Sequence, residues 1–69
     1  MPDSVYKVIE VVGTSATSWE DAARNAVEKC GQHLRDLRIA EVVNLDMRVE
    51  DNKVAAFRAR VKVSFKYEA

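Results

Sequence analysis

The segment FRARVKVSFKY, Phe57 to Tyr67, restricts this chain more than any other. Phe57, Ala59, Val61, Val63, Phe65 and Tyr67 are apolar or aromatic, while Arg58, Arg60, Lys62, Ser64 and Lys66 fall between them. Period-two alternation belongs to a half-buried strand. One face of that strand needs only a core. The other carries four cations in a chain whose 11 Lys and Arg balance 11 Asp and Glu. Something has to face them.

Three more segments supply the rest of a fold. VYKVIEVVG, Val5 to Gly13, is β-branched without internal Pro or Gly, and predicts a strand ended by Gly13. Thr17 and Glu20 have the spacing of a capping box, with Glu20 and Asp21 at the positive end of a helix dipole. From there Trp19, Ala22, Ala23, Ala26, Val27, Cys30, Leu34 and Leu37 recur at three- and four-residue steps. That stripe predicts one amphipathic helix running to about Leu37, despite Gly31 inside it. IAEVVNLDMRVE then returns to period two, with Glu41, Val43, Leu45, Met47 and Val49 on one side and Ala40, Val42, Asn44, Asp46 and Arg48 on the other. EDNK reads as a tight turn.

The expected class is therefore α+β, in the order β-α-β-β: a three-stranded antiparallel sheet with one helix on one face, a single domain over residues 1–69. Pairing like faces of the last two strands predicts a three-residue loop, Asp51-Asn52-Lys53. Val43 then lies opposite Val61, Leu45 opposite Ala59 and Met47 opposite Phe57. On the uncovered face Asp46 meets Arg58 and Asn44 meets Arg60, so part of the basic stripe has local partners.

A core from 69 residues seldom gives more than about 3–5 kcal/mol of net stability without a staple. The single cysteine, Cys30, closes no internal disulfide, and no Cys/His set fits structural zinc. Self-association is the remaining staple. The charge balance argues against nucleic acid as a partner, and no window resembles a signal peptide or membrane span, which makes the cytoplasm the default location.

Candidate chemistry is sparse. His33 reads as a helix-surface residue and Cys30 as a small hydrophobe without a base beside it. Glu50-Asp51-Asn52 reads as a solvated turn, and GTSATS lacks the glycines and lysine of a phosphate loop. Trp19 continues the helix stripe as a core or interface residue. No catalytic constellation emerges, and the expectation is a protein that is not an enzyme.

VYKVIEVVGTS, SWEDAARNAVEKC, LRIAEVVNLDMRV and FRARVKVSFKYE, in that order, resemble the dodecins over nearly the whole chain. The resemblance implies a homo-dodecameric hollow shell, helices outward and sheets inward, that binds, stores or buffers a small ligand. In flavin-binding dodecins a tryptophan before the second-strand AEV stacks on the flavin and a third-strand glutamine hydrogen-bonds it. Those positions match Ile39 and Arg58 here, with Asp46 beside Arg58, so the implied flavin site looks degenerate. The SATSWE helix start and the missing tryptophan resemble a branch of the family described as calcium-binding. That implies calcium held by carboxylates of several chains, with Asp46, Glu41 and Glu20 as candidates but no ligand set assigned. A purely structural assembly, its Asp46–Arg58 pair in place of a ligand, is the third expectation.

Overall fold

The computed structural model describes residues 4–67. Strand β1 spans Tyr6–Ser15, helix α1 Trp19–Gly31, strand β2 Leu37–Glu50 and strand β3 Lys53–Lys66. The sheet order is β1-β3-β2, with both neighbouring pairs antiparallel. The expected class and element order hold. The basic strand is the central one, so its uncovered side chains are flanked by both other strands.

Helix α1 covers one face. Ala59, Val61 and Val63 of β3 and Ala22 of α1 have no exposed surface, and Ile9, Val11, Ala23, Val27 and Leu37 pack around them. Val61 and Val63 are the largest fully buried side chains, each worth about 1.5–3 kcal/mol in water removed. Small residues let the helix lie close to the sheet. Closest of all is Gly13, where an added Cβ would overlap the Ala22 carbonyl oxygen and stand 2.8 Å from the Ala26 Cβ. Gly13 therefore does not end the first strand. It is the position where the helix backbone crosses it, and β1 continues to Ser15.

The helix cap lies one residue beyond the expected one. Ser18, not Thr17, is the N-cap, and its Oγ accepts the Asp21 N–H at 3.0 Å. Ser15 Oγ donates to Asp21 Oδ2 at 2.8 Å and accepts the Thr17 N–H at 2.9 Å, which ties the end of β1 to the first helical turn. At the other end the helix stops at Gly31 rather than near Leu37. The chain turns through His33–Asp36, Asp36 adopts φ 59°, and Leu37 opens β2. His33 consequently lies on a turn, not on the helix.

The β2–β3 hairpin reaches the predicted pairing by another route. Asp51 and Asn52 both have positive φ, 52° and 62°, so the loop is a two-residue turn of the type that matches strand twist. Lys53 is not in the loop but pairs with Glu50. A bulge that leaves Ala55 unmatched supplies the missing residue, after which Met47 meets Phe57, Asp46 meets Arg58, Leu45 meets Ala59 and Asn44 meets Arg60 as expected. A second bulge then leaves Val43 unmatched, and Val42 instead of Val43 lies opposite Val61. From that point β2 exchanges faces: Ala40 and Val42 join the helix side, and Ile39 and Glu41 turn to the open side.

The hairpin outruns its support. β1 pairs with β3 only from Phe57 to Lys66, so residues 48–56 form a two-stranded arm beyond the first strand. The molecule measures 54 × 20 × 15 Å with a radius of gyration of 14.3 Å, against about 11 Å for a compact chain of this length.

Candidate functional site

The open face of the sheet answers the question raised by the basic stripe. β1 follows its own period of two, so Tyr6, Val8, Glu10, Val12 and Thr14 share this face with the even-numbered residues of β3. Across the three strands the rows run Thr14–Arg58–Asp46, Val12–Arg60–Asn44, Glu10–Lys62–Glu41 and Val8–Ser64–Ile39. Lys62 thus lies between two carboxylates, one on each neighbour. Two of the four cations of the central strand, Arg58 and Lys62, face acids of the flanking strands, while Arg60 lies between Val12 and Asn44. Glu41 reaches this position only through the bulge at Val43.

Asp46 and Arg58 form the best-defined polar contact of the face. Arg58 Nε donates to Asp46 Oδ1 at 2.7 Å and Nη2 to Oδ2 at 2.9 Å, a two-pronged geometry open only to a guanidinium. Those hydrogen bonds hold the Asp46 carboxyl below its ordinary range, with charge attraction to Arg58 and Arg60 reinforcing them against partial desolvation. The same hydrogen bonds raise the Arg58 guanidinium. Behind the pair, Trp19 donates its indole N–H to the Asp46 carbonyl at 3.0 Å and stands edge-on to Phe57, ring centres 5.1 Å apart. Trp19 therefore fastens the helix start to β2 and β3 at the row that carries the ion pair, with about a third of its own surface open.

Ile39 presents 66% of its surface to solvent. Its backbone is held at the third bulge of the hairpin, where Ser64 Oγ accepts the Ile39 N–H at 3.3 Å and donates to the Ile39 carbonyl at 3.4 Å. Ile39 is opposite Ser64 and Asp46 opposite Arg58, so along β3 the two positions are about 20 Å apart. The fold brings Asp46 and Arg58 together and leaves Ile39 distant on the same face. Any one ligand that touches all three must do so through different copies of the chain.

A flavin would find at these positions an aliphatic side chain without a ring to stack on it and a guanidinium already engaged by a carboxylate. Among the described residues no group of three or more His, Cys, Asp or Glu side chains is close enough to hold a metal ion. Glu20 is on the helix, Glu41 and Asp46 on β2, and one chain does not gather them. Arg48 pairs with Glu50 at the base of the turn. His33 is exposed and Cys30 half-buried.

The sequence reading missed the apolar share of the open face. Tyr6, Val8, Val12 and Ile39 are each 44–66% exposed there, and on the arm Val49 and Val54 are 59% and 52% exposed. The signal was present in the alternation Tyr6, Val8, Glu10, Val12. It required knowing that β1 borders β3.

A short helix laid on an antiparallel β-α-β-β sheet, with an open face mixing apolar and matched charged rows, defines a class of small sheet-and-helix subunits. Residues 5–68 match the family model described as Dodecin, and this chain belongs to the dodecin family. It is 46% identical to a protein of Mycobacterium tuberculosis named calcium dodecin, over 91% of this chain and 89% of that one. The structure of the dodecin from Streptomyces coelicolor superposes with a TM-score of 0.92 at 39% identity, covering 100% of this chain and 99% of the other. The structure titled as the calcium-chelating immunodominant antigen calcium dodecin of M. tuberculosis, with a novel calcium-binding site, gives 0.84 at 45% identity over 94% and 93%. No helix among the described residues is long and apolar enough to cross a membrane.

Proposed function

We propose that this protein is the subunit of a homo-dodecameric hollow shell that binds or buffers a small ligand, and that it is not an enzyme. The observation that carries the assembly is the exposed apolar surface of the open face and arm. Isolated two-stranded hairpins are marginal in water, yet this arm carries Val49 and Val54 uncovered. Apolar side chains left this exposed on a sheet point to a contact with another molecule. Packing against further copies buries them and supplies the staple that a single cysteine cannot.

For the ligand, the reading favours calcium held between copies over flavin. Ile39 and the engaged Arg58 support it, as does 46% identity to a protein named calcium dodecin. Carboxylates on facing copies, with Asp46, Glu41 and Glu20 as candidates, would supply the oxygen donors such an ion takes. The test is the melting temperature in calcium and in chelator, read beside the visible spectrum of the purified protein. Calcium should raise the midpoint and chelator lower it, since a ligand that binds only the folded state stabilises it by mass action. Indifference to both would reject calcium and leave a structural assembly. A yellow protein with flavin absorption bands would overturn the preference against flavin. The double variant Ile39→Trp with Arg58→Gln should create or strengthen flavin binding, and no gain would refute the positional match.

A further inference from the structure

On the helix side of the sheet, beyond the helix C-terminus, Lys7, His33, Arg35, Phe65, Lys66 and Tyr67 line a cleft of about 480 Å3. We propose that this cleft is a binding site for a small aromatic phosphate of the nucleoside monophosphate type. The proposal does not rest on the calcium reading, which concerns the opposite face.

The chemistry is mixed in the manner of a ligand site. Phe65 and Tyr67 follow the alternation of the helix-side residues, and Lys7 is paired with Phe65 across the β1–β3 ladder. The Tyr67 N–H donates to the Val5 carbonyl at 2.8 Å and keeps the chain alongside β1 past the end of β3. The opposing wall is the turn from the helix to β2, its course set by the left-handed Asp36. Rings beside Lys7 on one wall and the donors of the turn on the other suit a flat aromatic base bearing an anion. The volume lies in the range of small-molecule sites, about 300–1,000 Å3.

Charge decides the sign of the ligand. Lys7 and Arg35 bring two permanent cations to the lining against one carboxylate, Asp36, and Lys66, a residue of the open-face alternation, borders its edge. The nearby helix C-terminus opposes an anion with about half a charge. Its last carbonyls are already engaged: Lys29 O accepts the Gln32 N–H, and Cys30 O accepts those of His33 and Leu34, at 2.8–3.2 Å. The cations together exceed Asp36 and that remainder. Arg35 adds a planar fork suited to phosphate oxygens.

Calorimetric titration of the assembled protein with adenosine monophosphate tests the proposal, with adenosine and inorganic phosphate as separate titrants. Saturable binding of the nucleotide, tighter than either fragment, is expected. Arg35→Ala or Lys7→Ala should weaken it about tenfold, the loss of one charge-assisted contact. Tyr67→Ala should weaken the nucleotide without affecting competition by phosphate. Arg24→Ala, an exposed helix position outside the cleft, should leave the affinity unchanged. Native mass and unfolding curves of each variant separate lost binding from lost structure. No saturable binding at millimolar nucleotide would overturn the proposal. So would affinity insensitive to both Arg35→Ala and Lys7→Ala, or lost in Arg24→Ala alone.

Discussion

The two faces of this sheet are built on opposite terms. Under α1, Ala22, Ala59, Val61 and Val63 are fully sealed, and Gly13 brings the helix backbone so close that a methyl group has no room. On the open face, Val8, Val12 and Ile39 stand about half exposed or more, among charged rows that match across strands. The closure under α1 is complete along the central strand, while Val42, Leu45 and Met47 of β2 stand 45–48% exposed beside it on the same side. The open face, and the arm that extends it, has charge pairing and apolar surface but no cover. What differs is where the chain expects its neighbours: within itself on one side, in other copies on the other.

Changes on the sealed face should therefore act on the subunit, and changes on the open face on the assembly. The largest effect is expected for Gly13→Val, since the obstacle is helix backbone, which cannot turn aside. Overpacking of this kind costs about 1–3 kcal/mol and here belongs at or above the upper end, so denaturant unfolding should show a severely destabilised or unfolded chain. Val61→Ala should lower unfolding stability by about 2 kcal/mol, through lost burial and an imperfectly closed cavity. Ser18→Ala removes the helix cap and should cost about 1 kcal/mol, read as a shift in denaturant midpoint. A sealed-face substitution that altered assembly while leaving subunit unfolding unchanged would break the comparison.

On the other side, Val49→Asp with Val54→Lys places opposite charges on facing arm positions, so the hairpin can still pair. Light scattering should report smaller species while the far-ultraviolet spectrum of the remaining subunit is kept. The weakest expected effect belongs to the Asp46–Arg58 pair. Its Asp46 carboxyl is held below the ordinary range by Arg58. Whatever stability the pair contributes is then fully present above the unfolded carboxyl value near 3.8 and is lost as pH falls through the lower folded value. Assembly of Asp46→Asn should therefore lose the part of its acid sensitivity that develops below about pH 4. An acid profile identical to that of the unmodified protein would show that Asp46 does not contribute to it.

Much of the fold was legible because alternation and helical period are local. The element order, the Asp46–Arg58 pairing and the Met47–Phe57 pairing all follow from matching apolar faces. What stayed hidden involves residues whose pattern is shared by two structures. Leu34 and Leu37 continue the helix stripe by spacing, yet they serve a turn and a strand once Asp36 takes a left-handed conformation. A three-residue loop and a two-residue loop followed by a bulge at Ala55 give the same pairing from Arg48 onward, so face matching cannot tell them apart. The bulge at Val43 cannot be seen from alternation at all. It reverses the faces of Ile39, Ala40, Glu41 and Val42, and through it Glu41 joins Lys62. Gly13 signalled a strand end, whereas its function is to admit a helix that the strand's own sequence does not mention. The candidate positions Ile39, Asp46 and Arg58 were placed by resemblance, and one chain cannot show them as one site because Ile39 lies far from the other two.

The central claim is that the open face and arm are completed by other copies of the chain. The most direct test is a native mass spectrum of the protein as purified, with no ligand added. The account predicts a species of twelve 7.8 kDa chains, with any excess mass identifying what the shell carries. A folded monomer with its apolar face and arm exposed to water would contradict it.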